Sequence, residues 1–293
     1  MPAWISSWSP LYHAGMETPN HYEQPFERAL LYLQTHYDSD INLHHIAAAA
    51  GMSPWHWHRL YRSVMGETLH DTLKWMRLHR AAWLLCHTDK SVADIARTCG
   101  YRGNAQSFTR IFRRDYGLSP LDYRHRPMPD YPVSIQELAP IPVIMLEHGE
   151  RDSQRLGNAF LRLSSLLRLR GWQYDDVMRA FSIHHPSMAY AHQLQIPTLN
   201  IKAAGKRYAA FALPLHQPAA PLQSGMIAGG RYAVLQHYGT YADLDAASDW
   251  FLDWFRRNGL SIAAAPVVLE YIEIQNQGNA PALNRVNICV PLA

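Results

Sequence analysis

The chain has 293 residues, of which 48% are hydrophobic, and a formal net charge of +3 at pH 7. This apolar content is ample for folded cores and excludes a wholly disordered chain, and the length corresponds to roughly two domains of about 100–200 residues each. No apolar run reaches the ~18 residues of a membrane span, and the first residues lack a secretory signal, so we expect a cytoplasmic protein without membrane contact.

The positive charge is concentrated in the N-terminal part of the chain. Residues 22–127 hold 14 Lys and Arg against 10 Asp and Glu, whereas residues 128–293 hold 13 of each. A local basic excess is typical of a domain that faces phosphate groups, although an excess of this size does not establish nucleic-acid binding by itself.

Residues 1–21 combine Ser, Pro and Trp without a helical or strand period, and we interpret them as an N-terminal arm of open role. Beyond them, apolar periodicity predicts four helices: about Tyr22–Tyr37, Leu43–Ala50, a helix between Ser53 and Gly66, and about Leu69–His87. Ser53 and Pro54 suit the N-cap and the first position of the third helix, and Gly66 suits its end.

The pattern of these helices is repeated after about 50 residues, as expected for two copies of one structural unit. The corresponding residues are Ile46-Ala47 with Ile95-Ala96, Gly51 with Gly100, Arg59 with Arg110, and Gly66 with Gly117. The second copy is therefore predicted to hold a short helix over Val92–Thr98 and a longer one that begins near Gln106.

The longer helix of the second copy has an apolar stripe and a basic face. The stripe has i, i+3, i+4 and i+8 spacing and consists of Phe108, Ile111, Phe112 and Tyr116. The opposite face carries Arg110, Arg113 and Arg114. Gly117 ends the helix, and Ser119-Pro120 begins another. A short helix, a glycine turn and a basic helix together predict a helix-turn-helix.

The pattern F-x-R-x-F-R-x-x-x-G-x-S-P-x-x-Y-R, over residues 108–124, resembles the signature of AraC/XylS-type transcription regulators. The resemblance implies an all-α DNA-binding domain over residues 22–127, with two helix-turn-helix units joined by a long helix. Two recognition helices on one rigid linker can enter successive major grooves about 34 Å apart on one face of double-stranded DNA. We therefore expect an asymmetric target site rather than a palindrome.

The resemblance assigns most base contacts to the recognition helix of the first unit. In this sequence those positions are Trp55, His58 and Arg59, with Arg62 further along the same helix. Arg59 can donate two hydrogen bonds to guanine, and Trp55 can pack on thymine methyl groups. Core packing is the alternative for both tryptophans. Because Trp55 and Trp57 lie on different helix faces, we predict that Trp57 is core and that Trp55 faces DNA.

In the second unit the resemblance places five residues on groove-facing positions: Ala105, Gln106, Ser107, Thr109 and Arg110. Compared with the family pattern, the segment from Gly100 to Phe108 is about one residue longer, which leaves the roles of Asn104 and Ala105 open. We expect this unit mainly to grip phosphate groups through Ser107, Thr109 and Arg110.

Prolines at 127, 129 and 132 predict a stiff linker over residues 128–132, and short apolar runs then alternate with helices twice. The first series is Val133–Leu138, Pro142–His148, a helix of about Gln154–Arg170, Ala180–His184 and Leu199–Ala204. The second is Tyr232–Tyr238, a helix over Thr240–Asn258, Val267–Glu273 and Val286–Pro291. Residues 133–293 are therefore predicted to form an α+β domain of two pseudo-symmetric βαββ halves.

The stretch GGRYAVLQHYGTYADL, followed by WFLDWF, PVVLEYIEI and LNRVNICVPL, resembles the GyrI-like effector-binding domain. The combination of an AraC-type DNA-binding domain with a C-terminal GyrI-like domain resembles the Rob subfamily. The resemblance implies a transcription regulator, in most cases an activator, that contacts RNA polymerase and senses a small molecule.

Glu270 lies within a predicted strand among apolar residues, where a carboxylate is costly unless it is paired. In domains similar to this one, the matching Glu lies in an aromatic-lined groove and meets cationic, amphipathic or aromatic ligands, to which ring faces add attraction. The candidate wall residues are Trp172, Tyr241, Trp250, Trp254 and Tyr271. The alternative is that these aromatics are core and that Glu270 pairs with an arginine such as Arg231 or Arg285.

Other chemistry is weakly indicated. The pairs His56-x-His58 and His184-His185 lack further ligands at metal-site spacing, so no metal or cofactor is expected. Two other functions stay open. One is a constitutive DNA-binding protein whose second domain docks a protein. The other is a hydrolase of the GyrI-like type with Glu270 as general base, although we expect no enzyme.

Overall fold

The computed structural model describes residues 21–101, 105–127, 130–148, 153–171, 179–185, 206–213, 218–273 and 284–293. The N-terminal part of the described chain is helical, with α1 Glu23–His36, α2 Leu43–Ala50, α3 Pro54–Met65, α4 Leu69–His87, α5 Val92–Thr98, α6 Ala105–Tyr116 and α7 Pro120–Arg124. The predicted arm falls outside the described residues, apart from His21.

Helix boundaries in this part follow the capping signals of the sequence. The Ser53 hydroxyl accepts a hydrogen bond from the backbone of His56 at the start of α3, and Gly66 ends α3 with φ +74°. At the start of α4, Thr68 and Asp71 form a reciprocal capping box. All four first-unit and linker helices therefore lie within one or two residues of their predicted bounds.

The helices form two cores, one for each helix-turn-helix unit. The first joins α1, α2, α3 and the start of α4 around Phe26, Ile46, Trp57 and Tyr61. The second joins the end of α4 to α5, α6 and α7 around Leu85, Ile95, Phe108 and Phe112. The predicted pair of helical units on one linking helix is confirmed.

In the residues that the structure describes, the C-terminal part is a curled antiparallel sheet with two helices. Its elements are β1 Val133–Leu138, β2 Ile141–His148, α8 Ser153–Leu169, β3 Ala180–His184, β4 Arg207–Phe211, β5 Gln223–Ile227, β6 Gly230–Gly239, a 3-10 turn Tyr241–Asp243, α9 Leu244–Asn258, β7 Val267–Glu273 and β8 Asn284–Pro291. The strand order is β1-β6-β8-β7-β3-β4-β2-β5.

The strand order confirms two βαββ halves. The units β2-α8-β3-β4 and β6-α9-β7-β8 meet where β3 pairs with β7, and Phe181 then lies opposite Glu270. Two strands differ from the expectation. The fourth element of the first half is β4, later in the chain than Leu199–Ala204, which lies outside the described residues, and β5 was not predicted. Strands β1 and β5 extend the sheet at its two ends.

The two faces of the sheet have different coverings. One face packs against α8 and α9 through residues such as Leu163, Phe251 and Leu269. The other face carries Val143, Phe181, Tyr208, Val234 and Val268, and its buried cluster includes no residue from a described helix. Side chains alternate between faces along each strand, so sequence parity decides which face a residue joins.

Candidate functional site

Helix α3 presents a polar face to solvent and a buried face to the first core. Trp57 is fully buried against Phe26, with ring centroids 4.9 Å apart. Trp55 is 68% exposed, which is unusual for a residue of its size. The predicted core position of Trp57 is confirmed, and Trp55, His58, Arg59 and Arg62 lie together on the exposed face of the helix.

On the exposed face of α3, the side chains of Trp55 and Arg59 contact each other. The Arg59 guanidinium carbon lies 4.5 Å from the centre of the Trp55 ring, within the range of a cation–π contact. A guanidinium that rests on a ring face loses less side-chain freedom when its N–H groups form hydrogen bonds. This arrangement suits two parallel hydrogen bonds to a base edge.

Helix α6 repeats the arrangement of α3 in the second unit. Phe108 and Phe112 are buried, whereas Gln106, Arg110 and Arg113 are exposed at i, i+4 and i+7. Ser107 and Thr109 are half-buried beside them, as is Ala105. The predicted second-unit positions therefore lie on and beside one exposed face. Residues 102–104, which hold the insertion noted in the sequence, lie outside the described chain.

Both units are fixed to the linking helix α4 by charged side chains. Arg77 of α4 donates to the carbonyl groups of Tyr37 at 2.6 Å and Ser39 at 2.9 Å. Lys74 of α4 lies 2.7 Å from the buried carboxylate of Asp115 at the end of α6. The 19 residues of α4 span about 28 Å. The chain thus holds two similar exposed helix faces at a separation set by one rigid helix.

The C-terminal domain contributes to the core of each unit. Leu169, at the end of α8, is buried in the first core, and Ala242, in the turn before α9, is buried in the second. Polar contacts support each junction. At the second junction the hydroxyl groups of Tyr123 and Thr240 lie 2.5 Å apart, and Arg126 pairs with Asp243. The C-terminal domain therefore contacts both helix-turn-helix units.

An ion pair is buried at the first junction. Arg170 donates from Nε to Oε1 of Glu23 at 2.7 Å and from Nη2 to Oε2 at 2.9 Å. It also donates to the carbonyl groups of Ala219 and Ala220 at 2.8 and 3.0 Å. The Arg170 side chain is 0% exposed and that of Glu23 is 8% exposed, so both charges depend on these partners.

Glu270 lies on the sheet face opposite the two helices. Its neighbours in register are Phe181 on β3 and Asn287 on β8. Arg179 donates from Nε to Oε1 at 2.6 Å, its Nη2 forms an ion pair with the same oxygen at 2.5 Å, and Asn287 donates to Oε2 at 3.1 Å. An arginine does pair with Glu270, but it is Arg179 rather than Arg231 or Arg285.

The predicted aromatic wall is not brought together with Glu270 in the described structure. Tyr271 points to the helix-covered face, where its ring meets Phe160 at 5.2 Å. Trp250 and Trp254 lie on α9 and pack against the core of that face. Trp172 and the side chain of Tyr241 lie outside what the structure describes. The physical reason is strand alternation, because adjacent residues of β7 point to opposite faces.

Other side chains accompany Glu270 on its own face. The Phe181 ring lies 5.1 Å from the Arg179 guanidinium carbon. Tyr238 is exposed and has the same sequence parity as Gln236 in β6, and exposed Ile272 lies at an irregularity in the pairing of β7 with β8. Burial, and next the charge of Glu270, raise the pKa of the Cys289 thiol to about 12, so this thiol stays protonated.

Sequence reasoning missed Arg179 and Asn287. Arg179 has the same sequence parity as Phe181, the residue of β3 that lies opposite Glu270. The pairing register of β3 with β7 was still needed to place the two side chains together. In the described part of the chain, no group of three or more His, Cys, Asp or Glu side chains is arranged to hold a metal ion. Among the described helices none is long and apolar enough to cross a bilayer.

Comparison with known proteins matches two family models to the chain. Residues 46–126 match a helix-turn-helix domain model, and residues 131–293 match the GyrI-like small molecule binding domain, which covers more than half of the chain. These matches confirm the two resemblances that the sequence motifs indicated.

Similar individual proteins align with the helical part. Regulatory protein SoxS of Salmonella typhimurium is 34% identical over 105 residues, covering 36% of this chain and 97% of that protein. Right origin-binding protein of Escherichia coli K12 is 34% identical over 99 residues, covering 33% of this chain and 34% of that protein. The solved DNA-binding domain of AdpA in complex with a target DNA is 31% identical, with a TM-score of 0.32, and covers 34% of this chain and 89% of that chain.

Proposed function

The chain belongs to the GyrI-like family and carries an AraC-type helix-turn-helix domain, and on this basis we propose that it is a transcription activator whose second domain binds a small cationic effector. Its general class is that of AraC-family DNA-binding transcription regulators. The observation that supports ligand sensing is the buried Glu270 carboxylate on the sheet face whose buried cluster includes no residue from a described helix. Contact with RNA polymerase and a location beside the DNA in the cytoplasm follow from the same proposal.

DNA recognition is assigned to the exposed faces of α3 and α6. On α3, Trp55, His58, Arg59 and Arg62 read bases in one major groove, with Arg59 as the donor to guanine. On α6, Gln106, Ser107, Thr109 and Arg110 hold phosphate groups of the next groove. The fixed α4 between them favours an asymmetric site bound by one chain.

Two arginine variants test this division of roles. Arg59→Ala should weaken binding to the specific site by about 1–3 kcal/mol and relax base preference at one position. Arg110→Ala should weaken specific and random DNA alike and reduce the salt slope by about one. Arg256→Ala, which removes an exposed arginine of α9, serves as the control. Titrations of labelled DNA at several salt concentrations give these quantities. Equal loss on specific and random DNA for Arg59→Ala contradicts its assignment to bases.

Ligand sensing is assigned to the Glu270 site. A carboxylate with little exposure attracts a cation more strongly than one in bulk water, and the Phe181 ring supplies an aromatic face beside it. Exposed Tyr238 of β6 extends this surface toward solvent. We therefore expect amphipathic or aromatic cations rather than anions or sugars.

A direct binding experiment tests the proposed binding of a cation at Glu270. A panel of cationic aromatic compounds is titrated by calorimetry into wild type and Glu270→Gln, with neutral analogues of the same shape as controls. Loss of about tenfold in affinity on removing the carboxylate corresponds to ~1.4 kcal/mol. Binding that is indifferent to Glu270 would instead favour a protein-docking domain, and chemical conversion of the bound compound would favour a hydrolase.

A ligand signal has a short physical route to the DNA-binding helices. Leu169 and Ala242 place the second domain in both helical cores, and the Glu23–Arg170 pair joins α1 to the end of α8. A ligand that prefers one arrangement of these contacts would shift the population of that arrangement by its difference in affinity. We expect effector binding to alter DNA affinity through these junctions.

A further inference from the structure

We propose that Arg179 is an internal ligand of the Glu270 site, and that the external effector is a planar, charge-delocalised cation of the guanidinium or amidinium type that displaces it. This inference rests on the proposed cation-sensing function and specifies its ligand class and its regulation. In this structure Arg179 already occupies the Glu270 site.

The contacts of Arg179 are those of a bound ligand. Its guanidinium donates from Nε to one carboxylate oxygen of Glu270 at 2.6 Å, its Nη2 forms an ion pair with the same oxygen at 2.5 Å, and its carbon lies 5.1 Å from the centre of the Phe181 ring. Asn287 holds the second carboxylate oxygen at 3.1 Å. The carboxylate is thereby oriented by an amide that stays in place whether or not the guanidinium is present.

The difference in exposure between the two partners indicates which one can leave. The Glu270 side chain is 10% exposed and is fixed within a central strand, whereas the Arg179 side chain is 41% exposed and precedes β3. A long arginine side chain can rotate into water without disturbing the strand. Glu270 has no such freedom, since its backbone is paired on both sides with β3 and β8.

The shape of the internal ligand defines the class of the external one. A guanidinium is planar, spreads its charge and offers parallel N–H groups, whereas an ammonium is a compact and strongly hydrated point charge. A competitor must make the same in-plane hydrogen bonds and lie against the same ring. Amidinium and guanidinium groups meet both requirements, and an attached aromatic body would extend over Phe181.

Competition with Arg179 lowers the apparent affinity for such a ligand. If Arg179 occupies the site nine-tenths of the time, the apparent affinity falls about tenfold, because only the open fraction can bind. The arginine therefore sets the effector concentration at which the site responds and rejects weaker cations.

Chemical rescue tests the proposal on the full-length chain. The variants are Arg179→Ala, Arg179→Lys and the double variant Arg179→Ala with Glu270→Gln. Thermal unfolding is followed with millimolar methylguanidinium chloride and, at equal chloride, methylammonium chloride. Calorimetric titration with benzamidinium provides the affinity for a planar aromatic cation.

The expected results are specific to each variant. Arg179→Ala should have a lower Tm than wild type, regain it with methylguanidinium more than with methylammonium, and bind benzamidinium about tenfold more tightly than wild type. Arg179→Lys should bind benzamidinium more tightly than wild type and less tightly than Arg179→Ala. The double variant should show neither rescue nor tight binding.

The outcomes separate this inference from the proposed function. Benzamidinium affinity that depends on Glu270 but does not rise in Arg179→Ala overturns the role of Arg179 and leaves cation sensing intact. Equal rescue by the two methylated cations overturns the planar ligand class. No Glu270-dependent binding in either wild type or Arg179→Ala overturns the sensing function and this inference with it.

Discussion

The buried ion pair between the two domains gives the most stringent test of how they are joined. Glu23→Gln keeps the shape of the side chain but removes the charge that faces Arg170, whose side chain has no exposure. Breaking a buried pair by removing one partner typically costs ~3–5 kcal/mol, because the remaining charge stays desolvated. Since Arg170 keeps two carbonyl acceptors, we expect a loss near the lower bound, about 3 kcal/mol.

A matched control lies across the same two helices. Glu27 of α1 and Arg162 of α8 are also 2.7 Å apart, but their side chains are 33% and 35% exposed. Exposed pairs contribute about 0–1 kcal/mol and weaken with salt. Glu27→Gln should therefore cost less than 1 kcal/mol and should lose even that contribution at high salt.

Urea unfolding followed by far-UV circular dichroism measures both variants under the same conditions. A third variant, Glu23→Leu with Arg170→Met, removes both charges and should recover much of the lost stability, since no buried charge is left unpaired. If Glu23→Gln costs no more than Glu27→Gln, the ion pair is not desolvated in solution and the two domains do not share this contact.

Two further predictions concern pH and backbone conformation. Burial lowers the pKa of His79, His148 and His237 to about 4 and that of His184 to about 3. The folded state therefore binds fewer protons than the unfolded state below pH ~6.5, and stability should fall from that pH toward pH 4 by up to ~1.4 kcal/mol per pH unit for each residue. His148→Leu should flatten this slope in urea titrations at several pH values; an unchanged slope contradicts the burial of this imidazole. Gly100→Ala should cost more than Gly117→Ala in the same assay, because both have positive φ but only the new Cβ at 100 would meet Arg77 Nε at 2.9 Å and the Asp38 carbonyl at 3.0 Å. Equal costs at the two glycines contradict that steric conflict.

Local signals predicted the helical domain well. The cap at Ser53, the glycine at 66 and the stripe of Phe108 and Phe112 each act within one or two helix turns, so a linear sequence contains them. Arg59 and Trp55 were placed on an exposed face for the same reason. Their contact with each other was also within reach, since residues four apart on a helix are neighbours.

The second domain was predicted in outline and less well in detail. The repeat of strand, helix, strand and strand gave its two halves, but β4 and β5 were not predicted, and the predicted strand Leu199–Ala204 lies outside the described residues. The predicted aromatic wall around Glu270 differs most from the described structure. Trp250, Trp254 and Tyr271 were grouped with Glu270 because the resemblance implies an aromatic-lined groove, although all three pack against the core on the opposite face of the sheet.

The sequence by itself determined the two helical units, their polar faces, the family of each domain and the presence of a carboxylate within a strand. Those features depend on periodicity, capping and composition, which act over a few residues. Only the tertiary structure decided that Arg179 pairs with Glu270, that Arg170 pairs with Glu23, and that Leu169 and Ala242 complete the helical cores. Such contacts join residues far apart in the chain, and they depend on strand register and domain docking, which the packing of the whole molecule fixes at once.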